Sequence, residues 1–164
     1  MANYKGHSLL NIFLILPLCA GGLHWWFHPH IHVLSTFVGV FTYSTLFMSP
    51  DLDLCYSINP WSLRGILCFP FRTYARVFSH RGISHSIFLG TLTRIIWLAG
   101  FVVGFFLLAY LVVPEKYIGK VPDQAMFKAF FIKYKLYLYY GMGGVVCADL
   151  GHLLVDHEYD KLWP

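Results

Sequence analysis

Eight residues that commonly bind metal fall into four short clusters along this chain. His7 stands alone near the start, and Asp51 and Asp53 follow a Ser-Pro pair. His80 and His85 bracket Arg-Gly-Ile-Ser, and Asp149, His152 and Asp156 close the set. Imidazole and carboxylate are both good ligands for a divalent ion, and histidine is the commonest of all. In the last cluster, 100° per residue puts Asp149, His152 and Asp156 within an arc of about 60° on one helical face. His152 and Asp156, at i and i+4, project side by side, as helical metal ligands do. Asp149 can serve either as a ligand or as the acceptor that orients a ligating histidine.

Asp51 and Asp53 sit at i and i+2 after Pro50, so in extended backbone they point to one side. Two carboxylates that close repel unless a cation lies between them. His80-Arg81-Gly82-Ile83-Ser84-His85 offers two imidazoles from a short polar break. Arg81 cannot ligate a metal; its chemistry is to hold an anionic substrate group or a developing negative charge, and it is the candidate catalytic residue. A second histidine group, His24, His28, His30 and His32, lies beside Trp25 and Trp26 and reads as an interfacial belt.

The elements that must position these clusters are apolar. The chain has 164 residues, enough for one domain. It is 57% hydrophobic and only 12% charged, too apolar for a soluble fold of this size to bury. Aromatic residues reach 19%, a bias suited to membrane interfaces. The expected fold is an all-α membrane protein of one domain, with about four transmembrane helices over 8–27, 31–48, 85–113 and 136–156. Between the second and third spans, residues 54–79 read as an interfacial amphipathic segment, with Arg64, Arg72 and Arg76 interleaved among aromatic and aliphatic residues. Pro17 falls inside the first span and is expected to kink it. Arg94, inside the third, either snorkels to the near interface or faces the bundle. The N-terminus has some features of a cleavable signal, but its apolar run continues to Phe27, and retention is expected.

Four crossings decide which ends meet. The start of span one, the end of span two, the start of span three and the end of span four share one membrane face. All four metal-ligand clusters are then on that face. Placing it inside gives the cytoplasm six basic residues (Lys5, Arg64, Arg72, Arg76, Arg81, Lys161). The other side keeps five (Lys116, Lys120, Lys128, Lys133, Lys135), a narrow positive-inside preference for a cytoplasmic site.

The net charge of +4 is too diffuse for nucleic acid, and membrane lipids are the simpler partner. Cys19, Cys55, Cys68 and Cys147 show no CxxC spacing, Cys19 and Cys147 lie in apolar runs and read as small buried hydrophobes, and a disulfide framework is not expected.

Taken in order, the leading His7, Ser49-Pro-Asp-Leu-Asp53, His80-Arg-Gly-Ile-Ser-His-Ser86 and the Asp149/His152/Asp156 pattern resemble the YdjM-like membrane-bound metal-dependent hydrolases. The resemblance extends to related metal-binding membrane proteins of unknown function. It covers most of the chain and implies a multi-span protein of the bacterial inner membrane whose His and Asp residues bind metal. Up to four histidines and four aspartates exceed one tetrahedral shell, so one or two ions of Zn, Mn or Fe fit the set. The expected function is metal-dependent hydrolysis at one membrane face, with an anionic or phosphate-bearing substrate. A non-catalytic metal-binding structural or sensing protein is the alternative, and a metal transporter a third reading. Oligomeric state is left open.

Overall fold

The computed structural model describes residues 4–48, 59–77, 87–114, 116 and 122–162; within its helices the side chains of residues 4, 5, 7, 64, 87, 88 and 156–162 fall outside the description. Every described element is a helix: α1 (Tyr4–Leu10), a π-helical turn (Asn11–Ile15), α2 (Leu16–Phe27), α3 (Ile31–Phe47), α4 (Leu63–Leu67), α5 (Phe69–Val77), α6 (Ile87–Val112) and α7 (Gln124–Leu162). Three stretches are long and apolar enough to cross a membrane: Ser8–Phe27, Leu89–Val112 and Gln124–Val155. The remaining expected span, the second, corresponds to α3, which is apolar and shorter, at 17 residues. That length is at the lower end of what spans the hydrocarbon core.

The first helix does not simply kink at Pro17. Proline has no N–H to donate to the carbonyl four residues back, and its ring crowds that carbonyl. The chain meets this with a π turn immediately before the proline, in which the Leu16 N–H reaches back five residues to the Asn11 carbonyl. Such a turn inserts an extra residue and rotates α1 relative to α2. At the far end α2 stops at His28, whose φ of 42° is left-handed. The following Pro29 disfavours right-handed helix at His28, and histidine is among the few side chains that tolerate the left-handed region.

Helices α3 and α7 run parallel. Gly141 of α7 lies against Thr36 and Val40, and Gly144 against Phe37, Val40 and Phe41. A β-carbon on Gly144 would come to 2.9 Å from the Phe37 carbonyl oxygen and 3.1 Å from the Phe41 amide nitrogen. Only glycine allows that backbone approach, the device by which apolar helices pack on each other without water to drive them together. Phe37, Phe41, Leu16 and Ala148 form one buried cluster where α2, α3 and α7 meet. The Cys147 thiol is hydrogen-bonded with Cys19 across the same seam, and both thiols are free.

The second cluster adds a protein-facing side to the segment before span three. That segment was expected to be interfacial and amphipathic; in the structure Cys68, Phe71 and Tyr74 are buried against Met48 and Val145, with Trp97 and Leu98 packed around them. Hydrogen bonds fasten it to the long helices. The Tyr43 hydroxyl donates to the Leu67 carbonyl at 3.1 Å, and Trp97 Nε1–H donates to the Pro70 carbonyl at 2.9 Å. Tyr74 Oη and Thr93 Oγ1 share a bond of 2.9 Å. A second apolar set, Trp61, Leu63, Ile66 and Phe69, is left exposed. Replacing Trp97 with phenylalanine keeps the ring and deletes the bond to Pro70. The expected result is a loss of about 1 kcal/mol in thermal unfolding, the usual net worth of such a bond; no loss would mean that the bond to Pro70 does not help to hold α5.

Candidate metal centre

The register of the helices fixes which ends meet. Along α7, Gly144 pairs with Phe37–Phe41 and Asp149 shares a partner with Met48, so α3 and α7 advance together. Against α6 the order reverses: Val145 packs near Ile95 and Leu98, while Asp149 meets Thr91 and Arg94. Against the first helix it reverses too, since Cys147 meets Cys19 and Gly151 meets Asn11 and Ile15. The N-terminal ends of α1 and α6 therefore lie with the C-terminal ends of α3 and α7.

Just inside that end is a buried ion pair. Arg94 is 1% exposed and Asp149 2%. Arg94 Nη2–H donates to Asp149 Oδ2 at 2.9 Å and Nη1–H to Oδ1 at 3.1 Å, the bidentate fork that suits a guanidinium to a carboxylate. Nη1 also donates to the Met48 carbonyl, and Nε–H to Gly90 at 2.9 Å. The Thr91 hydroxyl donates to Asp149 Oδ2. Four of the five guanidinium donors are thus engaged, and the pair ties α6 to α7 while its link to Met48 reaches the end of α3. Of the two positions open to Arg94 on the sequence, it takes the one facing the bundle.

This geometry bears on Asp149 as an expected ligand. Its two oxygens already accept three hydrogen bonds, against roughly four lone-pair positions on a carboxylate. In this arrangement it is the counter-ion of Arg94. His152, one turn further along the same face, is 4% exposed and follows Gly151, against which the first helix packs. Of the other six expected ligands, His7 lies in α1 and Asp156 in α7, with their side chains outside the description. Asp51, Asp53, His80 and His85 lie outside the described residues altogether, as does Arg81. Among the described residues no three His, Cys, Asp or Glu side chains gather closely enough to hold a metal.

At the opposite end, His24 and His28 meet edge to face at 5.9 Å, and His30 and His32 stack at 5.0 Å. All four rings are at least partly exposed beside Trp25 and Trp26.

Sequence reasoning missed one buried polar residue, Asn11. It is 1% exposed, and its Nδ2–H donates to the Ala148 carbonyl at 3.0 Å. Among the described residues its Oδ1 has no hydrogen-bond partner. Gly151 makes room for it: a β-carbon there would run into Oδ1 and would also come to 3.2 Å from Ile15. The signal available was spacing, because Asn11 follows His7 by four residues and so shares its helical face. Ser44 and Thr45, near the end of α3, are also buried, with hydroxyl oxygens that have no partner, unlike Ser35, Thr36 and Thr42, which bond back to their own helix.

Comparison with known proteins places these features in a family. Residues 4–162 match the family described as "Uncharacterized metal-binding protein (DUF2227)". An uncharacterized protein of Aquifex aeolicus (strain VF5) is 46% identical over 56 residues, which is 33% of this chain and 38% of that protein. No solved structure matches. With nearly its whole length inside the match, the chain belongs to this family of uncharacterized metal-binding proteins.

Proposed function

We propose that this protein is a membrane-embedded, metal-dependent hydrolase whose site lies where the N-terminal ends of α1 and α6 meet the C-terminal ends of α3 and α7. The observation that carries the reading is that junction. Four helix ends converge there over a buried ionic layer, and each leads within a few residues to a histidine or aspartate. Asp51 follows Met48 by three residues, a reach of at most about 11 Å. His85 precedes Ile87 by two, His7 lies within α1, and His152 and Asp156 lie along α7.

The bundle's exterior supports the membrane half of the proposal. Phe13, Leu18, Phe105, Leu107, Leu111 and Ile132 are all more than half exposed, on helices of membrane-crossing length. A soluble monomer rarely displays so much contiguous apolar surface.

The residues fit a metal. His152 is a buried imidazole, and Asn11 Oδ1, without a partner among the described residues, is an oxygen donor packed on Gly151, the residue before it in sequence. His7, Asp51, Asp53, His80, His85, His152 and Asp156 would hold one or two ions of Zn, Mn or Fe, and Asp149 would anchor the layer beneath. A divalent ion bound there supplies Lewis acidity and lowers the pKa of a water toward neutrality. Arg81 would hold the anionic group of the substrate and the charge that grows on it. A phosphoester presented at headgroup level, on the cytoplasmic side of a bacterial inner membrane, is the substrate class this chemistry suits.

The test is metal content by mass spectrometry of the detergent-purified chain, beside His85→Ala, His152→Ala and Asp156→Ala. Wild type should hold one to two equivalents and each variant a small fraction of that. Equal content in all four would end the metal-site reading. Phosphoester hydrolysis by the loaded protein, lost in Arg81→Ala with metal retained, would then establish the catalytic half.

A further inference from the structure

Asn11 is the one buried side chain at this end of the bundle whose amide is held by one atom and left open at the other. Its environment dictates which end is which. The Ala148 carbonyl can only accept, so the amide nitrogen must face it, and the 3.0 Å bond follows. The carbonyl oxygen is thereby turned to Gly151, one turn further along α7. Along α7 that is the direction of His152 and Asp156, and along the first helix it is the direction of His7.

An amide oxygen buried without a partner is costly, on the order of 1–3 kcal/mol. Native proteins leave few such atoms without a reason, an ion among them. Two features of the backbone serve this arrangement. The π turn begins at Asn11 itself and sets the rotation of α1, and such turns recur at functional sites. Gly151, by lacking a β-carbon, leaves the space in which Oδ1 sits. An asparagine needed solely to join two helices would be served by the Nδ2 bond, and nothing in that role calls for its oxygen to be buried against Gly151.

We infer that Asn11 belongs to the metal site, where its Oδ1 contributes a neutral oxygen to the ion or to the ion's water. A carbonyl oxygen suits a hard or borderline divalent ion already held by imidazole and carboxylate. The inference rests on the proposed metal site at this end of the bundle, and the experiment separates the two.

Full-length protein in detergent is stripped with chelator and titrated with Zn2+ and, separately, Mn2+. Affinity is read by chelator competition and stoichiometry by mass spectrometry, and the apo fold is monitored by thermal unfolding. Asn11→Leu, close in volume and without an oxygen, should bind at least ten-fold more weakly. Asn11→Asp restores the oxygen and should bind within a few-fold of wild type, even though losing the donor to Ala148 lowers its apo stability. If Asn11→Leu does not fold, Asn11→Ser, whose hydroxyl stops short of Gly151, carries the same expectation of weakened binding. Unchanged affinity in the folded Leu or Ser variant would overturn the inference and leave Asn11 a packing residue. Failure of wild type to exceed His152→Ala would instead overturn the metal site on which it rests.

Discussion

Asp149→Ala is expected to cost about 3–5 kcal/mol of stability, because it strands the Arg94 guanidinium without its carboxylate in the bundle interior. Thermal or denaturant unfolding in detergent measures the loss. The guanidinium would keep its bonds to Met48 and Gly90, but those carbonyls cannot neutralise its charge. Arg94→Lys should fail as well, since an ammonium cannot reproduce the two-pronged contact with Asp149 while also reaching Met48. The informative variant is the double replacement Arg94→Met with Asp149→Leu. It removes both charges together and should be much closer to wild type than either single change, because replacing a buried pair by apolar residues of similar volume is often neutral. A single Asp149→Ala variant as stable as wild type would show that this pair is not dry. The outcome also decides what the pair is for. Charged residues inside apolar helices are by default suspected of function. Recovery in the double variant, with metal content intact, would assign the pair to architecture.

The second large effect is expected at Gly144. A β-carbon there meets the α3 backbone at Phe37 and Phe41, which cannot swing aside as a side chain would. Gly144→Ala should destabilise by about 1–3 kcal/mol through overpacking, and Gly144→Val by more. Gly143 is the matched control. It lies one residue away on the same helix with nothing within 4 Å of a β-carbon. Gly143→Ala should therefore be neutral or stabilising by up to about 1 kcal/mol, the difference in helix propensity. If the two alanine variants unfold at the same temperature, the parallel α3–α7 packing is wrong. Because that packing aligns Met48 with Asp149, its loss would also scatter the ends that carry Asp51 and His152.

Helix content was legible because long apolar runs admit few alternatives. A chain with this little charge and this much aliphatic and aromatic surface must close its backbone hydrogen bonds within each segment. The turn punctuation at His28-Pro29 and at Ser49-Pro50 marked two of the boundaries well. The arginine-rich stretch before span three was legible as amphipathic, but not in which of its aromatic residues meet protein. Its aromatic residues are equally suited to lipid and to a protein groove, and only the groove between Met48, Val145 and Trp97 settled where Phe71 and Tyr74 go.

By itself the sequence determined the set of metal-binding residue types, their grouping at the ends of apolar segments, and the even number of segments that brings those ends together. Those properties follow from residue chemistry and alternation, which need no coordinates. Tertiary structure decided how the buried polar groups divide the work. Asp149 and His152 share a helical face in the sequence, but the sequence does not show that α6 delivers an arginine and a threonine to Asp149, or that Gly151, the residue before His152, receives Asn11 of the first helix. Asn11 was invisible as a buried polar residue for the same reason. Its placement depends on a glycine 140 positions away and on a carbonyl that takes one end of its amide and turns the other toward that glycine. Helical periodicity reports which residues share a face, but only the neighbouring helices decide what that face meets.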